Sequence, residues 1–432
     1  MTFENNWRRK NMYLKVNGNR AARLLRTLAV GITVGLGLFP SSISQASDEM
    51  RLKVEDPRLA QDAERRFSGW VHKGADEQEL DQVYRSVSKL FGSGPNSWVY
   101  ENSKFGKKHE ETANRLLSQG DVAGAAEELK IAATFYGIAR FPFLHNQATI
   151  DAYKKHDELY LASLRLKGIP VQEINIPFEG KELDVHLFTS SVVPPKSPGP
   201  AVVVSGGIDS WKSEMWPTVE AMLAEGLVVL TMDMPGTGTS DWRLSADAEK
   251  VYSAAVDYLK SRPDVNPDQI GVNLRSYAGY FAVKLALLDP DVKAAVNFGG
   301  PIQEAYGENN LLRLPNYMLS TVGAGFGMTR KEFVDNPEKA RAEMKAHTQK
   351  TTFEALGLLK PFPDQAALLS INGDNDMLVP VEDIYVLSKA GIRQEIWIYP
   401  GGGHTGGKYR AENIPAAAKW LKMQLTSDRP FR

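Results

Sequence analysis

The 432-residue sequence contains no cysteine. Disulfides, thiolate metal sites, iron–sulfur clusters, a cysteine nucleophile and a lipidated cysteine are therefore excluded. Histidine is scarce and scattered, as His72, His109, His145, His156, His186, His347 and His404, with no HExxH pair. That spacing argues against a zinc hydrolase, and His145 and His156 read as surface or hydrogen-bonded groups of a helical part. The phosphate-loop pattern GxxxxGK[ST] does not occur. The glycines of Asp233-Met234-Pro235-Gly236-Thr237-Gly238-Thr239-Ser240 lack GxGxxG spacing, so nucleotide binding has no support. There is no internal repeat and no low-complexity tract.

Neither sign of charge dominates, with 51 Lys+Arg against 52 Asp+Glu. Residues 1–46 hold seven basic residues and one acid, which leaves 44 basic against 51 acidic residues and a formal charge of −7 beyond them. A domain of that sign has no general affinity for nucleic acid or anionic lipid. The length, with 43% hydrophobic residues, suffices for one core of roughly 250 residues plus a smaller domain.

Arg8, Arg9, Lys10, Lys15, Arg20, Arg23 and Arg26 precede an uncharged stretch, Thr27 to Ser47, in which Leu28 to Phe39 is mostly apolar. Ser44-Gln45-Ala46 then places small residues at the two positions a signal peptidase inspects. The pattern predicts a signal peptide over 1–46 and a periplasmic or secreted protein. An uncleaved membrane anchor is the alternative, since the uncharged run approaches spanning length; Gly31, Gly35, Gly37 and Pro40 weaken it.

From Asp48 to about Lys167 the pattern is helical. His109 to Leu117 is amphipathic and stops near Gly120, Asp121 can cap Val122 to Ile138, and Gln147 to Leu166 carries Ile150, Tyr153, Leu161 and Leu164 on one face. These stripes need partners, which predicts a helical cap domain over 48–168. The pattern switches at Gly168-Ile169-Pro170. Val171–Ile176 and Leu183–Phe188 alternate around Glu179-Gly180 as a hairpin does, and the proline-rich stretch Ser190 to Pro200 reads as a surface connection. Apolar strands follow at Ala201–Val204, Gly226–Met232, Ile270–Leu274, Ala294–Phe298, Ala367–Asn372 and Ile396–Tyr399. Helical runs, notably Ala246–Ser261, Ala278–Leu288 and Pro415–Leu425, fall between or after them. Continuous apolar strands alternating with helices predict an α/β domain over 169–432 with a mostly parallel sheet covered on both faces. Residues 301–363 are too long for a simple crossover and predict a helical insertion at the carboxyl edge of the sheet, where ligand sites form.

Three loops after predicted strands carry candidate chemistry. In Leu274-Arg275-Ser276-Tyr277-Ala278-Gly279 a serine stands where a strand runs into a helix; it can be an exposed nucleophile with the Tyr277 amide aimed at an oxyanion, or a helix cap. Gly373-Asp374-Asn375-Asp376 offers two carboxylates, each also a common turn former. Pro400-Gly401-Gly402-Gly403-His404-Thr405-Gly406-Gly407 surrounds one histidine with glycines, which removes side-chain bulk from around the imidazole. Serine, aspartate and histidine in that order can form a relay, the carboxylate fixing the imidazole tautomer and the imidazole taking the serine proton. Val204-Ser205-Gly206-Gly207-Ile208-Asp209 can supply a second oxyanion amide, from Gly207 or Ile208. Trp211, Trp216 and Trp242 flank these loops and can line an apolar cleft or pack in the core.

The ordered segments Ala139-Arg140-Phe141-Pro142, Ile176-Pro177-Phe178-Glu179-Gly180, Gly206-Gly207-Ile208-Asp209-Ser210, Asp233-Met234-Pro235-Gly236-Thr237-Gly238 and Arg275-Ser276-Tyr277-Ala278-Gly279-Tyr280 resemble an α/β-hydrolase family. It is the family of the fermentation–respiration switch esterase and pseudooxynicotine hydrolase. The resemblance runs from roughly Thr112 to the carboxyl end. It implies an α/β-hydrolase core covered by an amino-terminal helical domain, with the site between them. It places the nucleophile on Ser276, the acid on Asp376, the base on His404, and the oxyanion amides near Ile208 and Tyr277. Family members that keep the triad resemble hydrolases of esters or of carbon–carbon bonds beside a carbonyl; some relatives lack the serine. This sequence departs from the usual G-x-S-x-G elbow by having Leu274 and Ala278 at the flanking positions, and Leu274 is the harder to fit beside a sharp turn.

The expected reaction is ester hydrolysis through an acyl-serine, with carbon–carbon bond hydrolysis or acyl transfer as alternatives on the same residues. A non-catalytic binding or regulatory protein on this scaffold is the alternative from another class. No cofactor or metal is implied. Phe326, Met328 and the tryptophans suggest a moderately apolar carbonyl substrate, and Arg275 is expected to brace the elbow or the domain interface.

Overall fold

The computed structural model describes residues 50–54, 57–189, 198–307, 316–328 and 336–427. The expected signal segment and most of the proline-rich connection lie outside these residues. The amino-terminal part is five helices, α1 (Pro57–His72), α2 (Glu77–Ser86), α3 (Trp98–Ser118), α4 (Val122–Ala139) and α5 (Gln147–Leu166). Short polar side chains start them: Asp76, Asp121 and Asn146 accept from the amides of Glu79, Gly124 and Thr149 at 2.8–2.9 Å, satisfying donors that a helix start otherwise leaves unpaired. Helix α3 begins eleven residues before the amphipathic run read from sequence. Its first turns bury Glu101 and Asn102 beside Trp98 and Val99, so polar residues interrupt the apolar period there. The helices close on an aromatic core in which Trp98 lies 5.5 Å from Trp70 and 5.4 Å from Tyr84.

Eight strands follow: β1 (Val171–Phe178), β2 (Lys181–Phe188), β3 (Gly199–Ser205), β4 (Val228–Met232), β5 (Val265–Arg275), β6 (Ala294–Phe298), β7 (Ala367–Gly373) and β8 (Glu395–Tyr399). Their order in the single sheet is β1-β2-β4-β3-β5-β6-β7-β8. The pairs β1·β2 and β2·β4 are antiparallel and the rest parallel. Every residue of β6 and β7 is buried, as expected of strands covered on both faces. The covering helices are α6 (Trp216–Ala224), α7 (Glu249–Lys260), α8 (Gly279–Leu288), α11 (Glu382–Lys389) and α12 (Arg410–Thr426). Between β6 and β7 lie α9 (Asn316–Gly325) and α10 (Pro337–Gln349). Helix α12 starts at Arg410 rather than Pro415. Proline lacks one donor, and inside the second turn that forfeits a single backbone bond. Among the described residues no helix is long and apolar enough to cross a membrane.

This order decides where a site can form. The chain leaves β3 to one side for β4 and returns to β5 on the other, which makes the carboxyl ends of β3 and β5 the switch point of the sheet. Ser205 pairs with Leu274 there, so the two loops that follow emerge side by side. Helix α8 then descends against the end of β6 through a glycine pair. A Cβ on Gly300 would lie 2.3 Å from the carbonyl carbon of Gly279, and one on Gly279 would lie 2.2 Å from Asn297 Oδ1. Gly300→Ala should therefore destabilise the protein by about 1–3 kcal/mol, the usual cost of overpacking. Urea unfolding at neutral pH checks this.

Candidate active site

Strand β5 ends at Arg275, and Ser276 takes a left-handed backbone with φ 55° before a short 3-10 turn opens into α8. For a non-glycine residue this conformation costs of order 1–3 kcal/mol, and it turns the hydroxyl out of the sheet. Gly207 sits directly against it. A Cβ there would come within 2.6 Å of Ser276 Cβ and 2.9 Å of the Tyr277 nitrogen, so only glycine lets the β3 loop reach the elbow. Leu274 is fully buried in the main core cluster and stays in register with Ser205 and Asn297. The close approach that the elbow's flanking glycines usually permit is made here by Gly207, Gly279 and Gly300.

Ser276 Oγ lies 2.8 Å from His404 Nε2, and His404 Nδ1 lies 2.7 Å from Asp376 Oδ2. The three residues from three strand ends thus form one hydrogen-bonded chain. Asp376 is the acid of this chain; Asp374 instead accepts from the Gly401 amide at 2.7 Å. The Asp376 side chain is fully buried while a quarter of the His404 side chain is exposed, so the imidazole faces the cleft and the carboxylate stands behind it. Burial alone would raise the Asp376 carboxyl. The bond to His404 and its charge, with donors from the Leu378 amide and Asn372, outweigh burial and hold the carboxyl below its ordinary range.

The acid and base loops are tied together by groups that sequence reasoning passed over. Asn372 Nδ2 donates to Asp376 Oδ2 at 2.9 Å while its Oδ1 accepts from the Thr405 amide at 2.8 Å. Asn375 accepts from the Gly403 amide at 2.8 Å. Arg275, beside Ser276 and already expected to brace the elbow or the domain interface, donates to the Thr405 hydroxyl, which ties the elbow to the histidine loop. Burial and the neighbouring Arg410 draw its guanidinium down to about 9. A polar Asn closing the buried strand β7 was the one sequence signal of this framework, because a buried amide needs partners.

The hydroxyl opens into a cleft of about 540 Å³ measured out to open solvent, lined by Ile208 and Tyr277 and, farther out, by Tyr306, Val322, Met344, Thr348, Leu378 and Val379. Among the described residues its lining carries no charged side chain apart from the titratable His404. The wall at Pro301–Tyr306 is pinned by Asp383, which accepts from the amides of Ile302, Gln303, Glu304 and Ala305 at 2.6–3.2 Å. The tryptophans do not line this cleft. Trp211 packs on Tyr153, Trp216 on Phe188, and Trp242 on Phe178 at the edge of a smaller cleft of about 210 Å³ lined by Asp184, Asp233, Thr239 and Ser240. Phe326 and Met328 pack against the core.

Asp157, Asp184 and His186 bring ligand-type atoms within 4.8 Å of one another. The Lys212 ammonium already sits among them, 3.0 Å from Asp157 and 2.7 Å from Asp184. Burial would discharge Lys212, but Asp233, Asp157 and Asp184 outweigh it and keep the lysine charged. The cluster is an ion-pair network joining α5 to the sheet.

A family description, esterase FrsA-like, matches residues 54–397. The chain belongs to that family. Ser276 and Asp376 fall inside the matched residues of this FrsA-like chain and His404 just beyond them. Esterase FrsA of Vibrio cholerae serotype O1 is 28% identical over 338 residues, 70% of this chain and 79% of that one. The 2,6-dihydropseudooxynicotine hydrolase of Paenarthrobacter nicotinovorans is 30% identical over 208 residues, 47% of this chain and 55% of that one. Among solved structures, that of 2,6-dihydroxy-pseudo-oxynicotine hydrolase superposes with a TM-score of 0.67 at 22% identity, covering 84% of this chain and 96% of its own. AbyA5 superposes at 0.64 and 17% identity, covering 84% and 99%. These superpositions place the FrsA-like chain in the α/β-hydrolase fold.

The Lys212 network makes the joint between helices and sheet sensitive to acid. Burial opposes ionisation of Asp157, but His186 and Lys212 outweigh it and hold the carboxyl far below its ordinary value. A depressed carboxyl contributes stability that is complete above its unfolded value, about 3.9, and is lost as pH falls through the folded one. Stability should thus fall steadily from about pH 5 downward. Asp157→Asn should flatten that slope and cost about 3 kcal/mol at neutral pH by leaving Lys212 undercompensated, both measured by urea unfolding across pH.

Proposed function

We propose that this FrsA-like protein is a serine hydrolase that breaks the bond beside a carbonyl through an acyl-Ser276 intermediate. The observation that carries the reading is the Ser276–His404–Asp376 chain, with 2.8 and 2.7 Å links, opening on a cleft whose described lining is mostly apolar. His404 takes the Ser276 proton as the oxygen attacks the carbonyl carbon. The oxyanion forms against the Tyr277 and Ile208 amides. Collapse breaks the bond to the leaving group, which takes the proton from His404, and leaves the acyl group on Ser276. Water then loses a proton to His404 and releases the acid.

Two leaving groups fit this sequence of steps. An ester departs as an alcohol. Cleavage of a carbon–carbon bond flanked by two carbonyls releases an enolate that is protonated to a ketone. The similarity to a pseudooxynicotine hydrolase supports testing both. An alcohol in place of water would give acyl transfer on the same residues.

Native protein should be labelled by a fluorophosphonate at Ser276, and Ser276→Ala should not. On a panel of p-nitrophenyl esters and aryl 1,3-diketones, Ser276→Ala should lose at least about 10⁴-fold in kcat. Absence of Ser276-dependent labelling and turnover would leave a binding protein on a hydrolase scaffold. Export is the matching proposal for location: amino-terminal sequencing of protein recovered outside the cytoplasm should begin at Ser47, whereas a retained Met1 or Met12 start in the membrane fraction would mark an anchor.

A further inference from the structure

We propose that the helical part positions the oxyanion donor, with Arg140 at the end of α4 holding the loop that carries the Ile208 amide. The inference rests on the acyl-serine reading, because it gives that amide its role. The loop after β3 is tightly curled: a Cβ on Gly206 would lie 1.8 Å from the Ser210 carbonyl oxygen. The two peptides that follow the Ile208 amide are held by side chains. Trp211 Nε1 donates to the Ile208 carbonyl at 2.9 Å, and Arg140 Nη2 donates to the Asp209 carbonyl at 2.9 Å.

Each of these holders is itself fixed from the helical side. Arg140 is 6% exposed, lies with its guanidinium carbon 3.5 Å from the centre of the Trp211 ring, and pairs with Glu214. Glu214 accepts from the Trp211 amide at 3.1 Å and from Lys73, just past α1, at 2.8 Å. Arg66 on α1 binds the Asp209 carboxylate at 2.7 Å, and Tyr153 on α5 packs edge-on against Trp211 at 4.5 Å. Three cations and a tyrosine from the helices thus converge on a few residues of the loop. Burial opposes the charge on Glu214, but Lys73 and Arg140 outweigh it and hold the carboxyl far below its ordinary range, so the pairing is ionic across the neutral range. A planar arginine serves two acceptors and a ring face at once, which a lysine cannot.

Such a strut acts on the transition state. Ground-state binding in the cleft uses the apolar lining, whereas the amide matters when the carbonyl oxygen becomes an anion. The test uses the full chain with a p-nitrophenyl ester and an alkyl boronic acid, whose tetrahedral adduct with Ser276 places an oxygen at the oxyanion position. Arg140→Met should lower kcat by about 10²-fold, as expected for an amide displaced by about 1 Å. Boronate affinity should weaken by a similar factor while KM stays within about 3-fold. Trp211→Phe removes one donor but keeps the ring against Tyr153; it should give the same pattern at about 10-fold, and it carries the test alone if Arg140→Met does not fold. Arg165→Met, which breaks only the exposed pair with Glu173, should match native. A folded Trp211→Phe with native kcat and boronate affinity overturns the positioning role. So does a parallel loss of KM and boronate affinity. Native protein that is never labelled at Ser276 overturns instead the reading beneath it.

Discussion

The parallel pairing of β3 with β5 is the constraint on which the candidate site depends. With Ser205 opposite Leu274, the Gly207–Ile208 turn and the Ser276 elbow leave the sheet at one height, a single glycine Cα apart. A one-residue slip of β5 would exchange the residues on its two faces, both of them buried from Ile270 to Arg275, and carry the hydroxyl away from both the imidazole and the amides. That register is protected by burial: Val202, Val203 and Val204 on β3 and Val272 and Leu274 on β5 have no exposed surface. The strain stored at Ser276 is held by packing on every side, from Gly207 above to the Gly279–Gly300 contact below.

Around this apolar frame the protein buries an unusual amount of charge where helices meet sheet. Lys212 is fully buried among Asp157, Asp184 and Asp233, and Arg140 and Glu214 are nearly so. Buried ion pairs add little net stability compared with apolar packing, yet they are costly to break singly. Their effect is to allow one seating of the helices: a shifted seating would strand a charge. The same geometry ties that seating to the loops around Asp209 and Asp233, since Tyr153 donates to both Asp233 oxygens at 2.9–3.0 Å.

Much of this was legible in the sequence. Apolar runs such as Ala294–Phe298 marked strands closely because burial on both faces leaves no polar position to blur the ends. Gln147–Leu166 was equally clear, with Asn146 capping it. Ser276, Asp376 and His404 could be named because each stands in a loop with its own chemistry, and the resemblance chose between Asp374 and Asp376. What stayed hidden are the residues whose role depends on partners far along the chain. Asn372 reads as one more strand residue, Asp383 as a helix-start acid, and Arg140 as a helix-end cation. Spacing alone says nothing about a contact 74 residues away, as between Arg140 and Glu214. Leu274 could not be placed from sequence either, since its burial in the main core cluster depends on partners on other segments.

The relay draws its parts from widely separated stretches of chain, and the imidazole comes last, in the loop before α12. A ribosome therefore releases the strained serine well before the imidazole it hydrogen-bonds. A product broken off ahead of His404 would carry Ser276 and Asp376 but neither the ring that links them nor the closing helix α12.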